Sequence, residues 1–227
     1  MDAEDLRALI LSYQQACAAA VAQYDGHIAQ YLGDGVLVYF GYPRAHEDDA
    51  VRTVRAALSM IDRMKEVNRR LVAEHGVALD IRVGVHTGMV VAGEMGGGAT
   101  RERLAVGGTP NVAARIQGLA GPGAVVVSEA TWRLVEGFFR AEALGLQTLK
   151  GVSRPIASYR ILSSTRLQSR FEARLSRPLT PLVSREAELG ILAKRWEQAT
   201  DAEGQVVVES PRAAIQERQA ALLVGLP

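Results

Sequence analysis

Two apolar runs, His27–Leu32 and Val36–Phe40, close on a Gly33-Asp34-Gly35 tip in the stretch GHIAQYLGDGVLVYF. Glycines on both sides of one aspartate suit a tight turn, so the two runs read as antiparallel strands of a hairpin. The flanking segments set the fold class. Ahead of the hairpin, Leu6, Ile10, Tyr13, Cys17, Val21 and Tyr24 recur at spacings of three and four, one stripe of an amphipathic helix over Ala3–Tyr24. Behind it, Gly41-Tyr42-Pro43 breaks the second strand. The acidic residues Glu47, Asp48 and Asp49 then open a second helix that Gly76 ends.

The same alternation continues. Ile81, Val83 and Val85 predict a strand, His86-Thr87-Gly88 a turn, and Met89–Ala92 its hairpin partner. Thr109 and Pro110 start a helix whose buried face is Val112, Ile116 and Leu119. A strand at AVVVS, a Ser128 cap, a short helix and a final hairpin around Lys150-Gly151 carry the pattern to Leu162. Helices interleaved with hairpins predict an α/β (α+β) sandwich on a mixed or antiparallel sheet. Residues 163–180, rich in Ser, Arg and Pro, read as a linker. Pro181–Ala199 reads as a further helix, Gly204–Val208 as a short strand, and the last residues as no clear element.

Composition narrows the classes of function. A chain of 227 residues, 48% hydrophobic, suffices for one packed domain and a tail. Its 26 basic and 25 acidic residues leave no bulk pull toward nucleic acid or an anionic membrane. Cys17 is the single cysteine, so no internal disulfide forms. The apolar stretch Ala16–Ala22 is far shorter than the ~20 residues of a membrane span. A cytoplasmic protein is the expectation.

Few side chains stand out for chemistry. Asn111 and Arg115, four apart, share a helical face turned from Val112 and Ile116. They read either as a solvated polar face or as a grip on a ribose and a phosphate. Asp34 reads either as a turn residue or as a carboxylate holding Mg2+ together with substrate phosphates. Lys150, at another hairpin tip, is a solvated lysine or a counter-charge to a triphosphate. His86 lacks a second ligand at metal spacing and reads as a turn histidine. Cys17, Trp132 and Trp196 read as packing residues.

Taken in order, GHIAQYLGDGVLVYFG, HEDDAVRTVRAAL, IRVGVHTGMVVAGEMG, VGGTPNVAARIQGLAGPGAVVVSEAT and LQTLKGVSRPIASYRIL resemble the class III nucleotidyl cyclase catalytic domain over about Glu4 to Leu162. The resemblance implies a ferredoxin-like βαββαβ domain that works as a dimer, with active sites between subunits. It implies that a nucleoside triphosphate is cyclised by attack of the ribose 3′-hydroxyl on the α-phosphate, with Mg2+ or Mn2+ held by two aspartates. By the same resemblance Asp34 is one metal aspartate, Asn111 orients the ribose, Arg115 stabilises charge at the α-phosphate, and Lys150 holds the terminal phosphates. Gly33 falls on the substrate side of the same tip.

The sequence departs from the family at several points. Gln30 stands where a base-selecting lysine often occurs, and Leu104 where its acidic or threonine partner would be. ATP is the expected substrate, with GTP as the alternative. The family's first strand, central in its sheet, carries the other metal aspartate in a D-hydrophobic-x-G-phenylalanine or serine context. It would precede the helix that begins near Ala3, and no residue upstream of Asp34 replaces that aspartate. The two-metal site is therefore expected to be incomplete, activity impaired, and the sheet open at that place. Residues 181–227 resemble the entry to a fused ATPase module, without the Gly-Lys pair of a phosphate-binding loop. The expected partners are ATP and a second cyclase chain, identical or intact. The competing expectation is a non-catalytic nucleotide-binding or dimerisation module, or a gene fragment.

Overall fold

The computed structural model of the chain describes residues 3–95, 102–106, 108–165, 190–191, 193–194 and 219–225. Two compact units divide the chain, Met1–Gln168 with Glu217–Pro227, and Ser169–Gln216. In the second unit the described residues are helical, within the predicted helix Pro181–Ala199. The expected strand Gly204–Val208 and the linker beyond Thr165 lie outside the described residues.

The first unit follows the predicted alternation. Helix α1 (Ala3–Gln23) buries Leu9, Tyr13, Cys17 and Ala20. Strands β1 (His27–Leu32) and β2 (Gly35–Phe40) pair antiparallel, and Leu32 opposite Gly35 leaves a two-residue turn. Gly33 has a φ of 62°, the positive value that the first position of a II′ turn demands. Helix α2 (Asp49–His75) starts at HEDD as expected. The Asp49 carboxylate accepts the His46 backbone N–H at 2.7 Å, while Asp48 and Asp25 both hold Arg52. These pairs tie the start of α2 to the end of α1.

β3 (Arg82–Gly88) is where the sequence reading and the structure part. His86-Thr87-Gly88 is not a turn; it continues the strand. β4 (Val91–Met95) pairs instead with β5 (Glu102–Val106) in a separate two-stranded sheet. Side-chain hydroxyls explain the longer β3. Thr87 Oγ1 lies 3.0 Å from Thr131 Oγ1, and His86 Nδ1 lies 2.8 Å from Ser128 Oγ. Helix α3 (Gly108–Gln117), β6 (Val125–Ser128), α4 (Glu129–Val135), β7 (Phe139–Gln147) and β8 (Ile156–Ser164) complete the predicted order. Ser128 caps α4 by accepting the Thr131 N–H.

One strand comes from the segment read as having no element. β9 (Gln219–Gly225) lies between β2 and β3 and is antiparallel to both. The seven-stranded sheet runs β1-β2-β9-β3-β6-β8-β7, with β3 and β6 its parallel pair. The expected opening at the sheet's centre is thus closed by QAALLVG. All six residues of β2 are buried, as befits a strand covered on both faces and paired on both edges.

The helices divide between the two faces. Leu37 and Tyr39 of β2 cluster with Ala113 of α3. Phe40, on the opposite face, lies under Val21 of α1. α3 therefore has one face of the sheet, and α1 and α2 cover the other.

Candidate active site

The residues singled out in the sequence fall into three places. Asp34, Gly33 and Gln30 lie on the β1–β2 hairpin, all exposed. Asn111 and Arg115 are exposed on α3, whose Thr109, Ala113 and Ile116 are buried. Leu104 lies on β5 opposite Gly93.

Lys150 joins the α3 group. It sits in the turn between β7 and β8, next to Leu149, which is buried with Ile116, Ala120 and Val126. The amide, the guanidinium and the ammonium thus follow one another along α3 toward its C-terminal end. A helix rises about 6 Å over the four residues from Asn111 to Arg115. That step suits groups holding successive parts of one extended polyanion.

Sheet register sets the carboxylate apart from this row. Gly35, Gly225 and Arg82 lie side by side on β2, β9 and β3. α3 runs back along β3, with Gly88 under Thr109 and Gly84 under Ala113 and Gln117. Asp34 therefore adjoins the Arg82 end of β3 and Asn111 the Gly88 end, about 20 Å apart along the strand. Lys150 is displaced sideways: β8 is four strands from β2, again about 20 Å.

The surroundings of Asp34 are sparse in ligands. Among the described residues, no group of three or more His, Cys, Asp or Glu side chains could hold a metal ion. The neighbouring strand β9, QAALLVG, contains no acidic residue. Asp34 is a carboxylate that could hold a divalent ion together with phosphate and water oxygens. Behind the tip, Tyr13 is fully buried, with its hydroxyl facing the Cys17 thiol one helical turn on. Burial pushes its phenol far up, and Cys17, Asp34 and Tyr31 add to the shift. The Cys17 thiol is likewise pushed up by burial, to about 12, so it stays protonated and inert.

Under α3 lies a polar floor that the sequence alone does not reveal. Thr109 Oγ1 donates to the Met89 carbonyl at 2.7 Å. His86, half-buried and bonded to Ser128, has its pKa lowered to about 4 by desolvation. The unfolded chain binds a proton at about 6.5 and the fold resists it. Stability from this residue is therefore full above pH 6.5 and lost as pH falls toward 4. In urea titrations, His86→Asn should flatten the acid side of the stability curve relative to the parent chain. The difference between the two should change by up to ~1.4 kcal/mol per pH unit in that window. Parallel curves would show that His86 titrates normally.

The family model for the adenylate and guanylate cyclase catalytic domain matches residues 2–163. The chain belongs to this family. The crystal structure of the adenylyl cyclase CyaB from P. aeruginosa superposes with a TM-score of 0.70 at 28% identity, covering 74% of this chain and 88% of that one. The guanylyl cyclase Cya2 gives 0.71 at 25% identity, over 73% and 84%. An uncharacterised protein of Rhizobium meliloti (strain 1021) is 31% identical over 209 residues, 92% of this chain, so the likeness continues past the cyclase domain. The chain spans about a fifth to a quarter of the length of such curated relatives. No helix among the described residues is long and apolar enough to cross a membrane.

Proposed function

We propose that this cyclase domain works in a pair, lending the Asn111–Arg115–Lys150 row to a site whose metal carboxylates come from the partner. The single observation behind this is the placement of the exposed Asn111 on α3, about 20 Å along the sheet from the chain's own Asp34. In the reaction, the ribose 3′-oxygen bonds to the α-phosphorus. The bond from that phosphorus to the bridging oxygen breaks, pyrophosphate leaves, and the hydroxyl proton passes to solvent. Asn111 orients the ribose, Arg115 neutralises charge gathering on the α-phosphate, and Lys150 holds the departing phosphates.

ATP is the proposed substrate, with cyclic AMP as product. Likeness to the adenylyl cyclase CyaB supports it, and likeness to the guanylyl cyclase Cya2 keeps GTP as the competitor. A carboxylate-free strand beside Asp34 favours a second reading for the chain alone: it binds nucleotide and turns it over poorly.

One experiment separates these readings. The chain is assayed with ATP and with GTP in Mn2+ or Mg2+, alone and mixed with a cyclase chain that carries both metal aspartates but lacks its own counterpart of Arg115. Product from the mixture, exceeding that of either chain alone, is the expected result. A mixture no more active than its parts, with no nucleotide binding by this chain, would count against the reading.

A further inference from the structure

Gly84 and Gly88 are separated on β3 by His86 and face α3 together, because strand residues two apart share a face. Neither has a positive φ, so backbone freedom is not what glycine supplies there. It supplies room. A Cβ at Gly84 would lie 2.2 Å from the Gln117 backbone nitrogen and 2.6 Å from the Ala113 carbonyl oxygen. A Cβ at Gly88 would lie 2.6 Å from Thr109 Oγ1 and 3.3 Å from its Cγ2.

The two contact points match in length. Gly84 to Gly88 spans about 13 Å of strand, and Thr109 to Gln117 about 12 Å of helix. A helix touching a strand at two such points lies along it and cannot pivot. The Thr109 hydroxyl also pins its end to the Met89 carbonyl at 2.7 Å. The floor is itself held. His86 Nε2 lies 3.3 Å from the Gly88 Cβ position, and His86 Nδ1 meets Ser128, the cap of α4.

We propose that Gly84, Gly88 and Thr109 form a two-point seat that sets the height and tilt of α3, making them positioning residues for Asn111 and Arg115. The inference rests on the reading of those two side chains as the nucleotide grip. Asn111 is two residues beyond Thr109, so lifting the helix end at Gly88 moves it directly. Misplacing a reacting group by about 1 Å can cost on the order of 10²-fold.

Binding of α,β-methylene ATP, which resists pyrophosphate release, is measured by calorimetry in Mn2+ on the full chain. Gly88→Ala should weaken binding about tenfold, and Asn111→Ala/Arg115→Ala by roughly a hundredfold. Adding Gly88→Ala to that double variant should then change nothing, since the seat acts through the residues removed. A further tenfold loss in the triple variant would mark a general structural role and overturn the seat. So would parent affinity in Gly88→Ala. Parent affinity in Asn111→Ala/Arg115→Ala would instead overturn the nucleotide-grip reading, and the seat with it. Should Gly88→Ala not fold, Thr109→Val and Thr109→Ser decide. Val keeps the shape without the donor and should weaken binding; Ser keeps the donor and should not. The reverse order would overturn the seat.

Discussion

Replacing Ala221 by proline lowers the thermal midpoint of the full chain by several degrees, since proline in a strand paired on both sides removes a ladder hydrogen bond and leaves a buried carbonyl unpartnered, roughly 1–3 kcal/mol, and each kcal/mol is worth a few degrees at this size. Ala221 faces Tyr39 on β2 and His86 on β3. An edge strand can aim a missing N–H at solvent, but β9 has a ladder on each side. The ring therefore removes a hydrogen bond that nothing else replaces. Gln219→Pro is the internal control, because Gln219 is the first residue of β9 and is registered with β3 alone. Differential scanning calorimetry of the two variants reads the contrast. Equal, small shifts would show that β2 and β3 do not depend on β9. Deleting residues 219–225 should go further and cause aggregation, by exposing two rows of unpaired backbone groups.

Arg115→Ala should abolish most of the added turnover in the mixed assembly, a fall on the order of 10²–10³. Arg115 is exposed on α3, while the residues that anchor the helix, Thr109, Ala113 and Ile116, are buried. Removing its side chain leaves no cavity, so the melting temperature should stay within a degree or two of the parent, as for surface changes of ~0.5 kcal/mol. The two readouts together carry the test. Lost turnover with unchanged stability assigns the guanidinium to the reacting phosphate. Unchanged turnover removes Arg115 from the site. Arg115→Lys is the companion variant; it restores the charge without the bidentate fork and should recover only part of the rate.

Much of the local structure was legible in advance. GDG announced the β1–β2 turn, because glycine admits the φ of 62° found at Gly33. HEDDA announced the start of α2, and Ser128 the start of α4, through donors at helix ends that need partners. The exposed pair Asn111 and Arg115 followed from helical spacing. Met89–Ala92 was paired wrongly. Alternation shows that a run is a strand but not which strand it joins, and β4 chose β5.

Local chemistry, then, settled the turns, the caps and the outward face of α3, since each depends on neighbours a few residues away. The fold alone decided that QAALLVG fills the middle of the sheet, and that Asp34 stands far from Asn111. Backbone donors and acceptors are the same at every residue, so a ladder carries no address. Partner and register come only from how the whole sheet buries its faces.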